Sequence, residues 1–221
     1  MTFFTASLRL AALVLAFAAS AAIAAQPVAG RDYRPINPPQ PTESGKGKVE
    51  VTEFFWYGCP HCDNLQAPLR AWLKQKPNDV EFKRVPAVLA DSWVPLTRAY
   101  YALETAGLLD KLHYEVFNAI HAQNIRLQDP KVLFDWVAKQ GGDRQKFADA
   151  YASFGVQSRS QRAMELTRNY DVSGTPAIAV DGKYLLAPSM TLKPDRSPDY
   201  ERFFQTLDQM IAVARKERAG K

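Results

Sequence analysis

The chain has 221 residues, 47% of them hydrophobic and 23% charged, with only two cysteines. That supply of apolar side chains excludes disorder as the main state and excludes a small disulfide-stapled scaffold. The formal net charge of +5 comes from scattered basic residues, so it reads as a solvated surface and not as a nucleic-acid interface.

Residues 1–24 read as a secretory signal peptide. Arg9 supplies the positive n-region, 10–23 is apolar apart from Ser20, and Ala22-Ile23-Ala24 fits the small-residue cleavage rule, so the mature chain is expected to begin at Ala25. The apolar run is shorter than the ~20 residues a membrane-spanning helix needs, and no later segment is long and apolar enough to span. An exported, soluble protein is expected. Residues 25–47 carry Pro27, Pro35, Pro38, Pro39 and Pro41 and read as a leader with one short edge segment around 33–36.

Residues 48–57 are rich in Val, Thr and aromatics and read as a strand. Its pleat places Val49, Val51, Glu53, Phe55 and Tyr57 on one side and Glu50, Thr52, Phe54 and Trp56 on the other. Large apolar groups on both faces predict a central strand covered on two sides. A helix follows over 60–74, with Pro60 in the first turn, where a missing N–H costs nothing. A second strand is expected over 79–85. From 89 to 163 the period turns helical. Residues 96–105 end at Gly107. Leu109, Leu112, Val116, Phe117 and Ile120 form a stripe, and Asp129-Pro130 opens a helix that Gly141-Gly142 closes. Asp143 caps the next helix, with Phe147, Ala150, Tyr151 and Phe154 as its apolar positions, and 158–170 is another. Residues 176–180 and 183–186 read as a hairpin about Asp181-Gly182, and 198–216 as a closing helix. The order predicts an α/β fold: one mixed sheet flanked by helices, with a helical subdomain inserted. The expected division is 48–88 with 164–221 for the sheet domain and 89–163 for the insertion.

Cys59-Pro60-His61-Cys62 falls where the strand ends and the helix begins. Two intervening residues bring both sulfurs into one helical turn. Cys59 faces unsatisfied backbone N–H groups and the positive end of the helix dipole, both of which favour a thiolate, and a protonated His61 adds a cation. Stabilising that thiolate stabilises the reduced pair, and such a pair gives its disulfide away: an oxidant. Cys59 is expected to form the mixed disulfide and Cys62 to resolve it. A structural staple fits this setting poorly, and zinc would need two more ligands, which His113 and His121, eight residues apart on one helix, cannot jointly supply. Those two read as surface or edge-of-core residues. Glu53, on the Val49–Val51–Phe55 face, is expected in a partly apolar region that raises its pKa, within reach of Cys62 through water. Lys83 on the neighbouring strand is the expected ion partner.

Glu53-Phe54-Phe55, Cys59-Pro60-His61-Cys62, Val172-Ser173-Gly174-Thr175-Pro176-Ala177 and Asp181-Gly182-Lys183-Tyr184, in this order, resemble the DsbA family of periplasmic thiol–disulfide oxidoreductases. The resemblance covers nearly the whole mature chain. It implies a thioredoxin-like fold with an inserted α-helical domain and a cis Thr175–Pro176 peptide beside the cysteines, in a loop that binds substrate. It also implies a buried acid at Glu53 and a periplasmic location. The implied partners are newly translocated cysteine-containing proteins and a DsbB-like inner-membrane re-oxidase, with no metal, nucleotide cofactor or nucleic acid. A monomer is expected, with Pro188, Ser189 and Met190 at the edge of an apolar groove. Some familiar members carry Val where this chain has Thr175, whose hydroxyl can donate to a nearby thiolate. An isomerase or reductase on the same fold and a non-catalytic peptide-binding module are the rival readings.

Overall fold

The computed structural model describes residues 26–220, so the expected signal peptide and its cleavage site lie outside the described residues. Among the described residues, five strands form one mixed sheet in the order β1-β5-β4-β2-β3. These are β1 (Arg34–Pro35), β2 (Val49–Phe55), β3 (Val80–Pro86), β4 (Ala177–Val180) and β5 (Tyr184–Leu186). Strand β2 is fully buried and pairs parallel to β3 and antiparallel to β4. The parallel pair is joined through α1 (Pro60–Gln75), the crossover that parallel neighbours require. The hairpin β4–β5 turns on Asp181 and Gly182, both with positive φ (55° and 65°). Gly182 has a second reason to be glycine: a Cβ there would lie 2.0 Å from the Gln40 carbonyl oxygen.

The two faces of β2 bury into different cores, as its pleat dictates. Val49 and Val51 pack with Leu65 and Leu69 of α1 and with Phe203, Leu207 and Ile211 of α7 (Tyr200–Ala219). Phe54 packs on the opposite face with Val85, Ala163, Tyr170 and Ala177. Phe55, at the strand's end, enters a third cluster built from the helical segment. That segment comprises α2 (Val94–Thr105), α3 (Leu109–His121), α4 (Pro130–Lys139), α5 (Arg144–Ala152) and α6 (Phe154–Asn169). The proline-rich stretch supplies the expected edge strand and is tied to the sheet domain. Ile36 is buried, β1 pairs with β5, and Asp32 is held by Arg31 and Arg202.

Two elements depart from expectation. Phe154 is not a buried position of α5: Ser153 ends that helix and caps α6, its hydroxyl accepting from Val156 N–H, and Phe154 becomes the exposed first residue of α6. A serine with its own N-cap bond outweighed the apolar period. Helix α6 also begins at Phe154, ahead of the expected start at 158, and runs through position 163 as expected. Its first half contributes Val156 to the helical core and its second half Ala163 to the sheet core, so one element ties the two cores together.

Candidate active site

Strand β2 ends at Phe55, and the chain turns over Trp56, Tyr57 and Gly58 to deliver Cys59 as the N-cap of α1. Pro60 occupies the first helical position and His61 is exposed. Both cysteines are free thiols, Cys59 at the surface edge with 9% exposure and Cys62 with none. The difference decides their chemistry. The Cys62 thiol donates to the Cys59 sulfur, the Thr175 hydroxyl donates to it, and the backbone N–H groups of Cys62 and His61 point at it. Against the opposing pull of burial, these donors lower Cys59 from 9.0 to about 5. Burial and the hydrogen bond given to Cys59 push Cys62 far above the ordinary thiol range. His61 contributes its backbone N–H. In the protonated state Cys59 Sγ also donates to the Thr175 carbonyl at 3.3 Å.

Thr175 and Pro176 are joined by a cis peptide and precede β4. Beside them lies a cavity of about 410 Å³ lined by His61, Thr175, Pro176, Pro188, Ser189 and Met190, among others. The structure therefore brings the CxxC pair, the Thr-Pro loop and the three residues after the hairpin to one place. Pro188–Met190 form a short 3-10 turn there.

Glu53 sits beneath the pair, fully buried. Desolvation raises its pKa, opposed by the Arg84 charge and by hydrogen bonds from Gln66 and Arg84. Arg84 Nε donates to Glu53 Oε2 at 3.0 Å. Gln66 Nε2 donates both to Glu53 Oε1 at 3.2 Å and to the Cys62 carbonyl at 2.9 Å. Lys83 is not the ion partner of Glu53, contrary to expectation. In the β2–β3 register Glu53 faces Arg84 and Thr52 faces Lys83, so Lys83 emerges on the opposite face and bonds Glu50 at 2.8 Å. A one-residue error in register reverses every side chain, and Lys83 and Arg84 are adjacent cations. Gln66, one turn after Cys62, carries no residue-type signal for this role. His113 is also not a surface residue: it is buried, and burial lowers its pKa well below the ordinary range.

A mixed sheet that presents a CxxC pair at a helix N-terminus, facing a cis-proline loop, defines a thiol–disulfide oxidoreductase of the thioredoxin class. Residues 50–194 match the family model described as DSBA-like thioredoxin domain, and the chain belongs to that family. The Thiol:disulfide interchange protein DsbA of Burkholderia cepacia is 41% identical over 182 residues, covering 82% of this chain and 86% of the relative. Its namesake in Pseudomonas aeruginosa PAO1 is 37% identical over 174 residues, 77% of this chain and 82% of the relative. Among solved structures, Pseudomonas aeruginosa DsbA superposes with a TM-score of 0.78 at 32% identity, over 88% of this chain and 97% of that one. Reduced DsbA1 from Neisseria meningitidis gives 0.75 at 31% identity, over 90% and 100%.

Proposed function

We propose that this oxidoreductase is a periplasmic dithiol oxidase that donates its Cys59–Cys62 disulfide to newly exported proteins. The observation that carries this reading is the asymmetry of the pair: Cys59 is held as a thiolate by four converging donors, whereas Cys62 is buried and protonated. A substrate thiolate attacks Cys59 Sγ. The Cys59–Cys62 bond breaks, a substrate–Cys59 disulfide forms, and Cys62 leaves and takes up a proton. A second substrate thiolate then attacks the substrate sulfur, and Cys59 departs as a thiolate. The substrate is oxidised by two electrons and the enzyme pair reduced by two. A low-pKa leaving thiol favours that last step. In the reverse direction Cys62 resolves the mixed disulfide. Glu53, its pKa raised and linked to the Cys62 carbonyl through Gln66, is the proton donor and acceptor for Cys62.

Thr175 and Pro176 bind the substrate backbone, and the cavity floored by Pro188–Met190 takes its apolar side chains and those of a DsbB-like re-oxidase. The enzyme works as a monomer, with 48–88 and 164–221 as the catalytic domain and 89–163 as the helical insertion. The test is a reduced, unstructured two-cysteine peptide mixed with oxidised enzyme. One peptide disulfide per enzyme is expected, and replacement of both cysteines by Ser abolishes it. Binding without peptide oxidation would favour a peptide-binding module instead.

A further inference from the structure

Helix α3 grips the residue two positions before Cys59 at both ends. His121 Nε2 lies 2.8 Å from the Tyr57 carbonyl oxygen, and His113 Nδ1 lies 2.9 Å from the Tyr57 hydroxyl. A carbonyl only accepts, so His121 must carry a proton on Nε2. The ring plane of His121 is set by stacking on Phe117, centroids 6.2 Å apart at 22°. Tyr57 and His113 are both buried, and both pack around Phe55 and Phe117. Between Tyr57 and Cys59 stands only Gly58, whose Cβ position is taken by the Trp56 ring: an added carbon would meet it at 2.4 Å. The link is therefore the one residue type with the widest backbone freedom. The Cys59 N–H closes this turn on the Trp56 carbonyl at 3.0 Å, but the central Tyr57–Gly58 peptide can flip with that bond intact, so its orientation needs an outside partner.

We propose that His121, with His113 behind it, is a positioning residue for Cys59: its Nε2–H bond to the Tyr57 carbonyl fixes the turn that aims the Cys59 sulfur at its donors. The helical segment thereby sets the redox poise of a cysteine on another element. Without the bond, the glycine hinge lets the Tyr57–Gly58 peptide rotate. Cys59 is then held less firmly against the Thr175 hydroxyl and the N–H groups of His61 and Cys62 that stabilise its thiolate. The inference rests on the oxidase reading given above.

The experiment uses the intact mature protein with His121→Leu and His121→Gln, the glutamine amide standing where Nε2–H stands. His121→Leu is expected to move the Cys59 absorbance transition near 240 nm up by about one unit. It is also expected to shift the equilibrium with glutathione about tenfold toward oxidised enzyme, ~30 mV for this two-electron couple. His121→Gln should restore both to within about twofold. A purely structural histidine would lower the melting temperature of the leucine variant yet leave the Cys59 midpoint and the glutathione equilibrium in place, and that result overturns the proposal. Independently of any variant, the ¹⁵N shifts of His121 in the native protein should show a protonated Nε2, and a bare Nε2 also overturns it. An ordinary thiol midpoint in the native enzyme would sink the oxidase reading itself. A low native midpoint that His121→Leu does not move sinks only this inference.

Discussion

Cys59 owes its low pKa to several donors, and the side-chain donors among them can be removed singly. The Thr175 hydroxyl is the one supplied from outside the CxxC turn. A hydrogen bond to a charged group is worth about 1.5–3 kcal/mol where water does not replace it. Thr175→Val, close in shape, should therefore raise the Cys59 midpoint by about one unit, read from thiolate absorbance between pH 3 and 9. An unmoved midpoint would mean that the Cys62 thiol and the backbone N–H groups of the CxxC turn set it without Thr175. At this scale the cysteine pair was legible because spacing and helix position suffice to define it. The partner of Glu53 was not. Sequence reasoning found the correct strand but could not choose between adjacent cations, since only the pairing register assigns Arg84 to the Glu53 face. Gln66 and the two histidines of α3 had no signal, because amide and imidazole contacts to backbone carbonyls leave no pattern in a single sequence.

The β2–β3 pair makes the register error testable. Arg84→Met strips the buried Glu53 of its counter-charge, and loss of one partner from a buried pair costs about 3–5 kcal/mol. Lys83→Met acts on the other face, where Lys83 is part-exposed and Glu50 keeps hydrogen bonds from Glu43 N–H and Thr52 Oγ1. A cost of about 1–2 kcal/mol is expected there. Urea denaturation should rank Arg84→Met as the more damaging. Only Arg84→Met should slow thiol exchange, and the reverse ranking would contradict the register. Most elements were legible from period and caps: Asp129 and Asp143 each accept from the helix they open. The α5–α6 break was missed because Phe154 continues the apolar spacing of α5, and only the backbone bend at Ser153 puts it outside.

For the whole molecule, the thiolate links redox state to stability. A free thiol at 9.0 in the unfolded chain becomes a thiolate with a pKa of about 5 in the fold. A depressed pKa adds stability in full above the unfolded value, and that gain is lost as pH falls through the folded value. The reduced enzyme should therefore gain on the oxidised enzyme between pH 5 and 9, and the gain should vanish below about 5. Paired urea titrations at pH 7 and pH 4.5 check this: the reduced form should be the more stable at pH 7, with the difference much smaller at pH 4.5. The mixed sheet flanked by helices followed from the order of the elements. The bridging role of α6 did not, because a helix that serves two cores shows only one continuous stripe.

This scaffold favours the dithiol and gives its disulfide away. Equilibrating the mature protein with graded ratios of reduced and oxidised glutathione at pH 7, and scoring the oxidised fraction, tests it directly. The pair should be largely reduced at glutathione ratios that leave thioredoxin-like pairs oxidised, a potential well above about −270 mV. A disulfide held as tightly as that of thioredoxin would contradict it.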